Sequence, residues 1–252
     1  MENKKIKYYE QLDSTNTKVS ELALEGAEHG TVVAAGYQTA GKGRRGRTWE
    51  SPAGDNIYMS ILLRPGFKAD RAPMVTLVMA YCVAKVLQEN GFADVQIKWP
   101  NDLVLSGKKV CGILTEMHLE GAAIDYVVVG VGLNVNTTSF PEELVDKATS
   151  LCLECGKLLD KERLIVDIVE TFMEMYDRFV KEGDLEFLQE AYNSILVNKD
   201  REVCILEPGN EYTAYALGIN EKGELMVRLE DGTEKNVYAG EVSVRGVYGY
   251  IR

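Results

Sequence analysis

Histidine is nearly absent: 252 residues hold two, His29 and His118. A multi-histidine metal centre is thereby all but excluded, and a Ser-His-Asp triad would have to rest on one of that pair. Basic residues are in deficit, 28 Lys and Arg against 39 Asp and Glu for a formal net charge of −11. That balance argues against gripping nucleic acid through a broad basic face. Long apolar runs are missing too. The longest uncharged run in a helical pattern, Met74 to Ala84, is far short of the roughly 20 residues a spanning helix needs. The start, MENKKIKYYEQLDSTN, has basic residues but no apolar segment after them, so it is no secretory signal. Cysteine numbers five, an odd count that suits reduced thiols better than a disulfide framework. The one Cys-x-x-Cys, Cys152 to Cys155, has no second pair with which to hold zinc. The expectation is a cytoplasmic protein without membrane or DNA partners.

What is present is a chain that is 46% hydrophobic, enough for a sizeable core, with its charge unevenly spread. Residues 1–139 hold 15 basic and 15 acidic side chains, whereas residues 140–190 hold 6 and 14. The acidic stretch reads as helices: Asp160 can cap a run with Leu164, Ile165, Ile168, Val169, Phe172, Met175, Tyr176 and Phe179 at helical spacing. Its acids are then a solvated face. The front half alternates. The pattern predicts a helix from Ser14 toward Gly26, strands at Thr31–Ala35 and Asn56–Leu63, and a helix at Met74–Glu89. A short strand at Val95–Lys98 and two long ones at Lys109–Leu119 and Ile124–Val135 follow. This is a mixed α/β (α+β) chain whose hairpin-like late strands favour a mixed central sheet flanked by helices. From about Lys199, short strands separated by turns such as Pro208-Gly209-Asn210 and Asp231-Gly232 suit a small barrel. The expected division is a domain at 1–198 and a small β-domain at 199–252.

The segment Gly36 to Arg47, GYQTAGKGRRGR, imitates two nucleotide motifs and completes neither. Gly36 to Lys42 reads G-x-x-x-x-G-K, but the position that should offer a hydroxyl to Mg²⁺ is Gly43. Gly41 to Gly46 fits G-x-G-x-x-G, but Arg47-Thr-Trp-Glu-Ser-Pro opens no helix to receive a pyrophosphate. Four cations remain, Lys42, Arg44, Arg45 and Arg47, interleaved with glycines that let backbone N–H groups and guanidinium forks converge on an anion. Most basic runs are solvated loops; Trp49 favours ligand binding, because an exposed indole beside the loop offers a base a stacking face.

A second group lies in Lys98-Trp-Pro-Asn101-Asp102, where a lysine at a strand end precedes a proline-stiffened turn with an amide and a carboxylate. Lys108 and Lys109 begin the next strand, and Asn134 ends a later one. Cations, amides and one carboxylate at strand edges are what open sheets build sites from.

These pieces, in this order, resemble the biotin protein ligases, which attach biotin to acetyl-CoA carboxylase and its relatives. The resemblance is carried by Ser14-Thr15-Asn16, Gln38, Gly41–Arg47 with Trp49, Lys98–Asp102, Lys109 in Lys-Val-Cys-Gly112-Ile-Leu, Asn134 and the closing Gly240–Arg245. It implies a class II synthetase-like ligase core with an SH3-like C-terminal barrel. It also implies formation of biotinyl-5′-AMP from biotin and ATP, with Mg²⁺ on the nucleotide phosphates and no protein metal ligand. Transfer then goes to a lysine of a biotin carboxyl carrier protein. Only 13 residues precede Ser14, where bifunctional relatives carry a DNA-binding domain, so no repressor activity is expected. By the resemblance, Ser14, Thr15, Asn16, Gln38, Lys42, Gly43, Arg44, Lys109 and Gly112 hold biotin. Arg44, Arg47, Trp49, Asn101, Asn134 and Arg245 surround ATP. Arg44 and Lys109 neutralise the reacting anions, Asp102 orients Lys98 or deprotonates the incoming lysine, and the Gly/Arg loop closes as a lid. A lipoate or octanoate ligase or transferase of related fold, a P-loop NTPase and a non-catalytic nucleotide-binding regulator are the alternatives. Pairing of subunits along an exposed strand edge stays open.

Overall fold

The computed structural model describes residues 6–50, 55–207, 209–239 and 243–246. The first sheet is built from β1 (Ile6–Leu12), β2 (Val32–Gln38), β3 (Ile57–Leu63), β4 (Gln96–Lys98), β5 (Asp102–Leu105), β6 (Lys108–Glu120) and β7 (Ala123–Leu133). The spatial order is β1-β2-β3-β7-β6-β5-β4. β1 and β2 run parallel and every other neighbour pair is antiparallel, so the sheet is mixed as expected.

Helices cover both faces. Helix α1 (Thr15–Leu24) lies on one, packing Val19, Leu22 and Ala23 against Val33, Leu62, Tyr126 and Val128. Helix α2 (Ala72–Glu89) lies on the other, beside Ile57, Met59 and Ile61, and is in turn covered by the long helix at Lys161–Glu182. With the turn before it, α2 makes a 21-residue segment, Ala69–Glu89, long and apolar enough to cross a membrane. The single lysine in its apolar pattern had hidden that length. Its apolar surface is largely buried inside the protein.

The acidic stretch forms α3 (Leu151–Cys155), α4 (Lys161–Glu182) and α5 (Glu186–Ser194). Asp160 caps α4 as expected, its carboxylate accepting from the Arg163 N–H, and Gly183 ends the helix with φ 88°. Along the solvated face, Arg163 pairs with Asp167 and Arg178 with Glu182. Cys152 is half-buried, Cys155 is exposed, and both are free thiols.

The C-terminal part is an antiparallel sheet of five strands: β8 (Arg201–Glu207), β9 (Asn210–Ile219), β10 (Leu225–Arg228), β11 (Glu234–Val237) and β12 (Ser243–Gly246), in the order β11-β10-β9-β8-β12. Its apolar side chains, among them Val203, Ile205, Leu225 and Val227, join the core around α2. Three strands, β1, β5 and β12, were not placed from sequence. β1 is a polar edge in which Ile6, Tyr9 and Leu12 are half-buried and the rest exposed, so its apolar signal is weak. β5 begins inside the Lys98–Asp102 turn and was absorbed into it.

Candidate active site

One cleft gathers most of the expected residues. Its walls are Ser14, Thr15 and Asn16 at the start of α1, Gln38 at the end of β2, and Lys42, Gly43, Arg44 and Trp49 from the loop. Asn101, Lys109 and Gly112 come from the β5–β6 region. Ile113, Leu114, Gly130, Val131 and Gly132 complete the lining.

The end formed by α1 is neutral and hydrogen-bonded. Ser14 occupies the N-cap position, but its side chain makes no capping bond. Thr15 donates its N–H to Gln38 Oε1 (2.8 Å), and its hydroxyl lies 3.1 Å from the same oxygen. Behind them Ser60, fully buried on β3, lies 2.8 Å from Thr15 Oγ1 and donates to Asn16 Oδ1 (2.6 Å). Asn16 Nδ2 donates to Glu116 Oε2 (2.7 Å).

The other end is cationic. The Gly/Arg loop is pinned across its base: Gly43 N–H donates to the Arg47 carbonyl (2.7 Å) and Trp49 N–H to that of Gly41 (2.9 Å). At its tip a short 3₁₀ turn spans Arg44–Gly46, with Arg45 at φ 59° and Gly46 at φ 71°. Among the described residues no helix follows, so neither nucleotide motif is completed. Arg44 reaches inward: Nη1 donates to Asn101 Oδ1 (2.9 Å) and Nη2 to the Ala239 carbonyl (2.6 Å), which ties loop, turn and C-terminal sheet together. Burial pushes the Arg44 pKa down. The Asp102 carboxylate opposes that, and Arg45 and Arg47 add to it. The guanidinium stays charged at neutral pH, in a place where a bound anion would relieve the cost of burying it. Lys109 Nζ stands 2.6 Å from Asp102 Oδ1, and Lys42 Nζ lies 3.8 Å from Glu116 Oε1.

Glycines make the floor between the two ends. Gly112 and Gly132 face each other across β6 and β7, and Gly130 lies opposite Leu114. A β-carbon on Gly112 would stand 2.7 Å from Cζ3 of Trp49, and one on Gly132 would stand 2.6 Å from its Cε2 and Nε1. One on Gly130 would run into Asn16 Oδ1. Trp49 is therefore not the exposed indole expected: the floor lacks side chains, so the ring folds onto it, with Lys109 Nζ 5.1 Å from the ring centroid.

Other expected residues lie outside the lining. Arg47 is exposed on the loop. Lys98 is buried at the end of β4, in register with Asp102, and Asp102 acts on the cleft through Lys109. Asn134, expected beside the nucleotide, is buried and donates its amide to the Thr149 carbonyl (3.1 Å), holding the segment that follows β7. The Arg245 backbone pairs with Cys204 on β8; its side chain lies outside the described residues. Ser60, Glu116, Gly130 and Gly132 were not singled out from sequence. A serine in the otherwise apolar and aromatic Ile57–Leu63 strand was the one available signal.

Comparison with known proteins agrees with this geometry. Residues 8–134 match the biotin/lipoate A/B protein ligase family model, and residues 200–245 match that of the biotin protein ligase C-terminal domain. The bifunctional ligase/repressor BirA of Bacillus subtilis is 35% identical over 241 residues, 94% of this chain and 73% of that protein. The biotin–[acetyl-CoA-carboxylase] ligase of Mycobacterium tuberculosis is 38% identical over 151 residues, 56% of this chain and 52% of that protein. The solved biotin protein ligase from Aquifex aeolicus, in complex with biotin and ATP, superposes with a TM-score of 0.85 at 30% identity, covering 97% of this chain and all of that one. The chain belongs to the biotin/lipoate A/B protein ligase family, among its biotin protein ligases.

Proposed function

We propose that this protein activates biotin with ATP as biotinyl-5′-AMP, releasing pyrophosphate, and transfers the biotinyl group to a lysine of a biotin carboxyl carrier protein. The observation that carries the reading is the two-ended cleft. A neutral end with the Ser14 and Thr15 hydroxyls and Gln38 suits a cyclic urea. A glycine floor follows, and then a cationic end with Arg44 and Lys109 suits a carboxylate brought against a phosphate. A lipoyl or octanoyl chain offers no urea-like hydrogen-bonding group to match the polar neutral end.

The chemistry needs no enzyme nucleophile. The biotin carboxylate attacks the α-phosphorus, pyrophosphate leaves, and the acceptor amine later displaces AMP. Two anions that repel each other must be held together, so the protein's work is orientation and charge neutralisation. Arg44 and Lys109 supply the positive charge. Asn101 holds the Arg44 fork, and Asp102 holds Lys109. Trp49 gives the adenine a face, Arg47 and Arg245 approach the nucleotide, and Mg²⁺ arrives on its phosphates. Asn134 supports this region through Thr149. The Gly/Arg loop closes over the adenylate and keeps water out. Residues 1–198 form the catalytic domain and 199–252 the C-terminal one. Beyond Ile113, β6 pairs with β7 alone among the described residues; that open edge is the surface on which a second copy of the chain pairs. The setting is the cytoplasm.

The test is biotin-dependent exchange of pyrophosphate into ATP. Exchange that requires biotin, ignores lipoate and octanoate, and falls about 100-fold or more in Arg44→Ala supports the reading. Exchange driven equally by lipoate, or an Arg44→Ala protein as active as wild type, refutes it.

A further inference from the structure

Ser60 and Glu116 do not touch each other, yet together they fix the hydrogen-bonding character of the neutral end. We propose that a chain from Thr15 through Ser60 and Asn16 to Glu116 makes the Thr15 hydroxyl an acceptor only toward the cleft, so that it selects a ring N–H of the substrate. This deepens the biotin reading and rests on it.

A carboxylate only accepts, so the Asn16 group 2.7 Å from Glu116 Oε2 is its NH₂, and its oxygen faces Ser60. The reverse amide orientation would set the Asn16 oxygen against a carboxylate oxygen. An amide oxygen cannot donate, so the 2.6 Å contact consumes the one Ser60 proton. The Thr15 hydroxyl, 2.8 Å from Ser60 Oγ and 3.1 Å from Gln38 Oε1, then has two inward acceptors for its own single proton. With the Ser60 proton held by Asn16, both inward oxygens stay open to the Thr15 proton, which turns inward and leaves lone pairs toward the cleft; were Ser60 to donate to Thr15 instead, that inward acceptor would be lost. A ligand atom there must donate, as an N–H of a cyclic urea does; a ring oxygen, sulfur or methylene does not.

Glu116 anchors the chain from outside. It is half-exposed on β6, with one oxygen on Asn16 and the other 3.8 Å from Lys42 of the Gly/Arg loop. It is a positioning residue: its charge fixes an amide, the amide fixes a serine, and the serine leaves the threonine no outward proton.

The experiment measures biotin-dependent pyrophosphate exchange with biotin and with two cyclic carbamate analogues, in each of which one ring N–H is replaced by oxygen. In wild type, one carbamate should raise KM at least about tenfold, because its oxygen faces a threonine that cannot donate. Thr15→Val should erase most of that penalty, marking which isomer faces position 15. Glu116→Met should raise KM for biotin several-fold with kcat within about twofold. It should also shrink the same isomer's penalty, since Asn16 can then turn and let Ser60 and Thr15 reverse. Glu116→Gln, which keeps an acceptor for Asn16, should recover part of both effects. Absence of exchange with biotin itself refutes the biotin reading. Exchange with biotin, together with equal use of both carbamates by wild type, refutes the chain alone. So does a Glu116→Met protein that keeps the wild-type KM and the full penalty.

Discussion

The chain has two tryptophans, and the structure gives them opposite work, which substituting each by phenylalanine separates. Trp99 is 1% exposed. Its backbone N–H donates to Asn198 Oδ1 (2.8 Å), and its indole N–H donates to the Gly223 carbonyl (3.0 Å). Gly223 lies at φ +74° in the turn between β9 and β10, so close to α2 that an added β-carbon would stand 2.9 Å from Cδ2 of Leu77. The bond therefore joins the turn after β4 to the C-terminal sheet inside the shared core. Trp99→Phe removes about 40 Å³ of side chain, which costs about 1 kcal/mol at roughly 24 cal/mol per Å³ of cavity. It also leaves the Gly223 carbonyl buried without that partner, about 1–3 kcal/mol more. The sum, about 2–4 kcal/mol, corresponds to a fall in Tm of about 5–15 °C for a chain of this size.

Trp49 is only half-buried and rests on glycines rather than in packed side chains, so Trp49→Phe should cost under about 1 kcal/mol. A ligand entering the cleft must cover or lift this ring. Thermal melting followed by circular dichroism measures the first pair of effects, and tryptophan emission under titration with biotin and ATP measures the second. The Trp99→Phe protein, with Trp49 as sole reporter, should show a ligand-dependent emission change, and the Trp49→Phe protein should show almost none. A Trp99→Phe Tm within about 1 °C of wild type, or a full emission change in Trp49→Phe, would refute the division of labour.

A methyl group at Gly132→Ala should wedge under the Trp49 indole and raise KM for biotin at least about tenfold with little change in Tm, since the floor is a cleft surface and not core; exchange kinetics beside a melting curve check this. Exposed Cys155 should react rapidly with a thiol reagent at neutral pH. Cys82 and Cys111, whose thiol pKa values are pushed up by burial, should stay unlabelled until the protein unfolds, as counted by intact mass. Glu207 is held below the usual carboxylate range mainly by its hydrogen bond to Lys235, opposed by desolvation and aided by the Lys235 charge and by Asn210 and Tyr212. Its contribution to stability is present above the ordinary carboxylate pKa and is lost as pH falls through the depressed one. The acid side of a Tm-against-pH curve should accordingly be shallower in Glu207→Gln than in wild type.

Elements whose apolar pattern is set by their own burial were legible in the sequence. Strand β3 is buried at every position from Ile57 to Leu63, and it reads as an apolar run. The α4 stripe is buried from Leu164 to Phe179, and it reads at helical spacing with its cap. Parts whose environment is supplied from far away were not. β1 is a polar edge that joins the sheet through β2. Asn134 looked like a strand-end ligand because nothing in its neighbourhood shows that Thr149 lies against its amide. Trp49 looked exposed because the glycines beneath it are more than 60 residues away in sequence.

The site divides along the same line. Its cationic half is legible because its groups cluster in sequence: Lys42 and Arg44 in one loop, Asn101 and Asp102 in one turn, and Lys109 a few residues on. Its neutral half is assembled across separations of 23 residues between Thr15 and Gln38, 44 between Asn16 and Ser60, and 100 between Asn16 and Glu116. It therefore exists only if the strands pair in the right register. Ser60 stands opposite Val33 on one side and Gly130 on the other. Its neighbours Met59 and Ile61 point into the core around α2, while Leu62 joins Ser60 on the α1 side. A slip of one residue would exchange those faces, setting a methionine or isoleucine against Thr15 and a serine among the apolar side chains under α2. The same burial of Met59, Ile61 and Leu63 that stabilises the sheet thus fixes which hydroxyl lies behind Thr15. Specificity at the neutral end is in this sense a consequence of core packing on the opposite face.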